Sequence, residues 1–231
     1  MKLEKKMSNT TYYYKHSSRI FRANIFLLSL TLLISGCMTI TGLEDGRSNG
    51  RGNHKLKAEL GATQQPRLYD AGIDDEFAWN RTSPRTTVQY SYGVINRLDL
   101  GLRADPSLTF GAFGKLQIIG DKRSKFATAI GFDVSKLSIE GPMVYQVPFY
   151  MSFHPTSSTS IYFNPRYSNQ AVGYLQRDLQ SQIDYYGANA GILYGTKHQI
   201  GLDFGYHQAR KPRSMGFLVS ISIGGIFHFG D

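Results

Sequence analysis

From residue 54 to the end of the chain, apolar side chains recur at every second position, and this alternation constrains the fold more than any other feature. QIGLDFGYH, residues 199–207, sets Ile200, Leu202, Phe204 and Tyr206 on one face and Gln199, Gly201, Asp203, Gly205 and His207 on the other. FLVSISIG sets Phe217, Val219, Ile221 and Ile223 against Leu218, Ser220, Ser222 and Gly224; RLDLGLR sets Leu98, Leu100 and Leu102 against Arg97, Asp99, Gly101 and Arg103. In KFATAIGFDV, Phe126, Thr128, Ile130 and Phe132 oppose Ala127, Ala129, Gly131 and Asp133. A period of two belongs to β-strands, and no segment beyond residue 54 carries a 3.6-residue apolar stripe. The chain is therefore expected to be all-β.

Such runs predict about ten strands, near 54–60, 85–93, 97–104, 108–119, 125–134, 144–153, 158–168, 182–194, 198–208 and 216–229. Short connections (94–96, 120–124, 154–157, 195–197) alternate with longer ones (61–84, 135–143, 169–181, 209–215), with a short link at Asp105–Pro106 as the exception. Tight turns at one end and long loops at the other are the pattern of an antiparallel up-and-down transmembrane barrel. Ten strands is the expected number and eight the alternative. An even number leaves both ends of the barrel sequence on the short-turn side.

Alternation alone also fits a soluble, lipocalin-like ligand carrier, with its apolar face turned inward. The polar face decides between them. A water-washed exterior carries Lys, Glu and Thr, whereas this face carries Gly187, Asn189, Gly191, Ser220, Ser222 and Gly224, the small residues a crowded lumen needs. Its charges have both signs, as interior ion pairs would: Arg97, Asp99, Arg103, Lys115, Asp133 and Asp203 are the expected polar lumen residues. Tyr90, Tyr92, Tyr145, Phe153, Tyr194 and Tyr206 stand near strand ends, where interfacial aromatic girdles form.

The front of the chain is different. Lys2, Lys5, Lys6, Lys15, Arg19 and Arg22 precede an apolar run from about Ile25 to Ile34, roughly ten residues and too short for a spanning helix. Small residues follow, then the only cysteine of the 231-residue chain. This is the layout of a secretory signal, and Ile34-Ser35-Gly36-Cys37 resembles the bacterial lipobox. The resemblance implies cleavage before Cys37 by lipoprotein-processing enzymes, acylation of Cys37 and, with Met38 rather than Asp next in line, sorting to the outer membrane. The expected organisation is a signal peptide over 1–36, a lipidated Cys37 with a flexible Gly-rich tether over 37–53, and a barrel over 54–231. Fully extended, that tether could reach roughly 50 Å.

The other end points to the same membrane. The segment from Ser222 to Phe229 resembles the last-strand signal read by the outer-membrane barrel assembly machinery, with Gly224, Phe227 and Phe229 as its matching positions. It departs from that pattern in having Gly230 and Asp231 after the final Phe. The whole chain resembles the general class of small bacterial outer-membrane barrels. The partners implied are outer-membrane lipids, the assembly machinery and the lipoprotein-processing enzymes.

Chemistry-bearing motifs are sparse. One cysteine allows neither a disulfide within the chain nor a CxxC metal site, and no GxSxG, HExxH or phosphate loop occurs. No metal or cofactor is expected. Six of the 26 basic and one of the 17 acidic side chains precede Cys37, leaving a net charge of about +4 beyond it. That excess is too mild, and too lacking in a basic stripe, for a nucleic-acid partner. His207 is the histidine best placed for catalysis, facing the lumen on the strand that carries Asp203. Four residues of rise separate them by roughly 13 Å, however, so contact would need a carboxylate from elsewhere, such as Asp178 or Asp184. His154 falls in a turn segment with Ser157. The reading favoured is a lipid-anchored barrel with a structural or interaction role and no free diffusion pore. A barrel enzyme acting on envelope lipid or peptide is the alternative.

Overall fold

A computed structural model describes residues 42–64, 82–106, 109–136, 143–172, 181–211 and 214–230. Cys37 and the signal assigned to residues 1–36 lie outside the described residues. The remainder forms ten strands: β1 His54–Gln64, β2 Thr82–Ile95, β3 Leu98–Asp105, β4 Thr109–Ile119, β5 Phe126–Lys136, β6 Met143–Thr156, β7 Thr159–Val172, β8 Ser181–Tyr194, β9 His198–Lys211 and β10 Ser214–Phe229. Each pairs antiparallel with its sequence neighbours, and β1 pairs with β10, from His54 opposite Phe229 to Gln64 opposite Val219. The sheet is a closed up-and-down barrel. Closure matters in lipid, where an open edge would leave backbone N–H and C=O groups without partners.

The strands are longer than the apolar alternation alone marked. β1 runs on to Gln64, and β9 and β10 are joined through 212–213, where a longer 209–215 loop was expected. The added residues (61–64, 209–211 and 214–215) are small, polar or charged apart from Met215 and show no apolar alternation, yet their backbones continue the ladder: Arg210 lies opposite Met215. Glycines make two of the tight turns, Gly120 before β5 and Gly195 before β9, both at positive φ, where a Cβ would be strained.

The apolar face points outward. Leu202 and Ile221 are 55% and 62% exposed, while Ser220 and Ser222 on the alternate face are 2% and 4% exposed. Leu100, Leu116, Phe132, Phe163 and Ile192 continue the band around the barrel. Tyr186 and Tyr194 bound it on β8, eight residues apart. That is roughly 26 Å along the strand, which a tilt of about 40° shortens to about 20 Å, in keeping with the apolar band of a membrane barrel. A belt this extensive is a surface for lipid, not water, and it removes the soluble-carrier reading. Among the described residues no helix is long and apolar enough to cross a membrane; this chain crosses with strands.

Candidate functional site

The polar face of the sheet encloses a charged interior. Asp99, Arg103, Lys115, Asp133 and Asp203 are all buried there, as expected. Arg97 is not. Although it precedes Leu98 in perfect alternation, β2 ends at Ile95, and Asn96 and Arg97 form the turn, so Arg97 is exposed at the short-turn rim. The interior charges pair: Arg103 Nη2 donates to Asp133 Oδ1 at 2.6 Å and to Ser135 Oγ at 3.0 Å. Arg85 pairs with Glu59, which also accepts from Ser222 Oγ at 2.6 Å. Pairing of this kind is what permits charge in a low-dielectric interior.

The largest departure from expectation concerns the tether. Residues 42–50 do not hang free of the barrel but lie inside it, and Gly42, Leu43, Glu44, Gly46, Ser48, Asn49 and Gly50 are all buried. The segment runs along the lumen from the rim, where Gly50 sits against Gly93, to mid-depth, where Gly42 sits against Asp203 and Asn189. The wall meets it group by group. Gly46 N–H donates to Ser152 Oγ at 2.9 Å, Ser48 N–H to Gln117 Oε1 at 2.9 Å, and Asn49 N–H to the Asp99 carboxylate at 3.0 Å. Asn164 Nδ2 donates to the carbonyls of Gly42 and Glu44, at 2.9 and 2.7 Å. These contacts satisfy backbone polar groups that burial would otherwise leave costly.

Two side chains fasten the segment. Glu44 is clamped between Lys55 of β1 and Lys115 of β4, with Lys115 Nζ 2.6 Å from Oε1. Lys115 also donates to the Arg47 carbonyl at 2.6 Å and lies 3.5 Å from Asp99. Leu43, fully buried, fills an apolar pocket with Tyr162, Leu193 and Ile226. Gly201 and Gly224 complete that pocket, since a Cβ at either would stand 2.8 or 2.7 Å from a Leu43 methyl. The polar composition of 38–53 read as a tether because polar, Gly-rich sequence has no apolar face to bury. The polar lumen reverses that logic, and the signal available in the sequence was the isolated Leu43-Glu44 pair amid small residues.

Lodging the segment also shortens any tether. Four residues lie between Cys37 and Gly42, five steps of the chain that reach at most about 18 Å when extended, instead of the roughly 50 Å expected of a free one.

Among the described residues, neither His207 nor His154 stands in a Ser–His–carboxylate triad. His207 is buried in the lumen, and its Nε2 lies 3.2 Å from Asn189 Oδ1. Asn189 Nδ2 in turn donates to Asp203 Oδ2 at 2.6 Å. The side chain that joins His207 to Asp203 is thus an amide, a positioning link that neither takes up nor releases a proton near neutral pH. Asp184 is engaged elsewhere, accepting from Tyr167 and Asn169 at 2.7 and 2.8 Å; Asp178 lies outside the described residues. Nearer the rim, His154 Nε2 is 2.9 Å from Ser152 Oγ and 4.0 Å from Asp45 Oδ2. A catalytic triad uses the two different ring nitrogens for its serine and its carboxylate. Here both face Nε2, and Ser152 is occupied by the Gly46 amide. No metal-binding cluster of His, Cys, Asp or Glu occurs among the described residues.

The three positions of the last-strand resemblance divide between the two faces. Phe227 and Phe229 are exposed on the outer face of β10, whereas Gly224 faces inward against Leu43. At the short-turn rim, Asp121 accepts the backbone N–H of Arg123 and bonds with Ser124 Oγ. These bonds, the one from Arg123 foremost, hold its carboxyl below the usual carboxylate range. Its charge serves its own turn.

No protein-family model matches the sequence, and no curated protein matches it either. Solved structures do. An outer-membrane channel from Pseudomonas putida F1 aligns at a TM-score of 0.50 and 8% identity, covering 83% of this chain and 100% of that one. Ail, the attachment invasion locus protein of Yersinia pestis, aligns at a TM-score of 0.34 and 11% identity, over 78% of this chain and 99% of that one. The N-terminal β-barrel domain of Pseudomonas aeruginosa OprF aligns at 0.34 and 12%, over 77% and 99%. The fold is that of bacterial outer-membrane β-barrels. At these identities the likeness concerns the fold alone.

Proposed function

We propose that the protein is a closed outer-membrane barrel, anchored additionally by acyl chains on Cys37, with a structural or interaction role in the cell envelope and no role as a diffusion pore. The observation that carries this reading is the Gly42–Gly50 segment in the lumen, hydrogen-bonded to β4, β6 and β7 and clamped at Glu44. A barrel of eight strands is filled by its own side chains, and the interior widens with each added pair of strands. Ten strands leave room for one extended peptide, and the chain supplies it. The outward apolar band provides the contact with outer-membrane lipids. The lipobox-like residues and the last strand supply the expected contacts with lipoprotein-processing enzymes and the barrel assembly machinery.

The test is conductance in planar bilayers. The mature protein is expected to give no steady channel, and deletion of residues 42–49 is expected to open one. A second variant, Leu43→Ala with Glu44→Gln, keeps the chain length and is expected to flicker open. Steady conductance by the unaltered protein would overturn the reading.

A further inference from the structure

Among the described residues, exposed positive charge gathers at one end of the barrel. Arg51, Arg97, Lys122, Arg123, Lys125 and Lys197 stand exposed at the short-turn end, and Asp121, committed to its own turn, is the exposed carboxylate among them. In the middle of this rim a cavity of about 360 Å³ opens between the lumen segment and the wall. The segment contributes Asp45, Arg47, Ser48 and Asn49; the wall contributes Lys55, Lys122, His154, Lys197 and His228.

Most of the interior charges have partners, but the cations of this mouth largely do not. Lys55 is spent on Glu44. Lys122, from the β4–β5 turn, and Lys197, from the β8–β9 turn, have no ion-pair partner among the described residues. Arg47 Nη2 donates to the Ser124 carbonyl at 2.5 Å, and its buried Nε is without a hydrogen-bond partner. Asp45, the one carboxylate in the lining, accepts the Arg47 backbone N–H at 3.3 Å.

We propose that this mouth is a binding site for a small phosphate ester, gripped by Lys122 and Lys197 from two turns and by Arg47 from the lumen segment. Three cationic groups on three separate elements match a dianion with several acceptor oxygens. A single carboxylate brings one negative charge and two acceptor oxygens, fewer than three cations on separate elements can use, and one prong of Arg47 is already engaged. Ser157, Thr159 and Thr196 add hydroxyls to the lining. The volume lies at the lower end of small-molecule sites, about 300–1,000 Å³, which suits glycerol phosphate or a sugar phosphate. Arg47 lies between Gly46 and Ser48, which are bonded to the wall. A ligand that bridges Arg47 to the two turns therefore ties the segment to the rim. The proposal stands whether or not the barrel conducts.

The test is calorimetric titration of the full mature protein in zwitterionic micelles with sn-glycerol 3-phosphate at constant ionic strength. Saturable one-to-one binding is expected, together with slower amide exchange at Gly46, Ser48 and Asn49. Lys122→Gln with Lys197→Gln alters only turn side chains and is expected to weaken binding at least about tenfold, the equivalent of one charge-assisted contact. Arg210→Gln, toward the opposite end, is expected to leave it unchanged. In nanodiscs, competition by phosphatidic acid, a phosphate monoester, but not by phosphatidylcholine would identify a lipid headgroup as the source of the phosphate, and its absence a free ester. No saturable binding, or equal binding by the double variant, overturns the proposal.

Discussion

Glu44→Gln removes the charge at the centre of the lumen clamp while keeping the size of the side chain. In the unaltered protein the Glu44 carboxylate is buried between two buried ammonium groups. Removing one partner of a buried pair costs about 3–5 kcal/mol, because the other charge is left uncompensated. The lower figure applies here. Lys115 keeps Asp99 at 3.5 Å and the Arg47 carbonyl at 2.6 Å, whereas Lys55 loses its salt-bridge carboxylate. The wall does not depend on Glu44 for its ladder, so the cost of about 3 kcal/mol falls on seating the segment, and its opening becomes roughly a hundredfold more frequent. The assay is amide hydrogen exchange, residue by residue, in micelles. Gly46, Ser48 and Asn49, which donate to wall side chains, are expected to exchange about a hundredfold faster. Amides inside the β8–β9 ladder, such as those of Asn189 and Gly205, are expected to keep their rates. Unchanged exchange at the three segment amides would refute the reasoning; so would an equal acceleration in β9, which would mean that Glu44 supports the barrel rather than the segment.

Other outcomes follow from the same structure. Leu43→Ala empties the pocket shared with Tyr162, Leu193 and Ile226 and is expected to cost about 2–5 kcal/mol, read as faster exchange of the same segment amides. Leu202→Arg, at mid-strand on the lipid face, is expected to lower refolding stability in lipid by about 2–4 kcal/mol, and Tyr194→Arg, near the rim, by about 0–1 kcal/mol beyond the loss of the ring; equal costs would contradict a membrane band. Mass spectrometry of the mature amino terminus is expected to show an acylated Cys37, and an unmodified thiol there would remove the anchor. His207→Ala is expected to leave envelope lipid acylation and surface proteolysis unchanged, and a clear loss of either in a folded variant would make His207 catalytic.

Strand number, topology and the direction of the apolar face were legible in the sequence because each rests on local alternation, which lipid on one side and a crowded lumen on the other impose residue by residue. Asp99, Arg103, Lys115, Asp133 and Asp203 could be assigned to the interior for the same reason. Arg97 could not, because alternation does not mark where a strand gives way to a turn. The ends of β1, β9 and β10 were hidden because their outermost residues, small, polar or charged apart from Met215, do not alternate apolar with polar. The lumen segment was hidden for a deeper reason. Whether polar sequence is solvated or buried depends on what surrounds it, and Lys115 and Asn164, which hold Glu44, lie 71 and 120 residues away from it in the chain. The link through Asn189 between His207 and Asp203 was invisible likewise, since strand rise separates the pair and only the neighbouring strand joins them.

Residues 42–50 fill the lumen, and the nuclear Overhauser effect between the Leu43 methyls and the Tyr162 ring is the sharpest test of that placement. In unaltered, isotope-labelled protein reconstituted in micelles, the account expects strong cross-peaks between these two residues and to Ile226, with Leu43 methyl shifts displaced by the ring. Leu43 methyls at random-coil shifts, with no cross-peak to Tyr162, would contradict it.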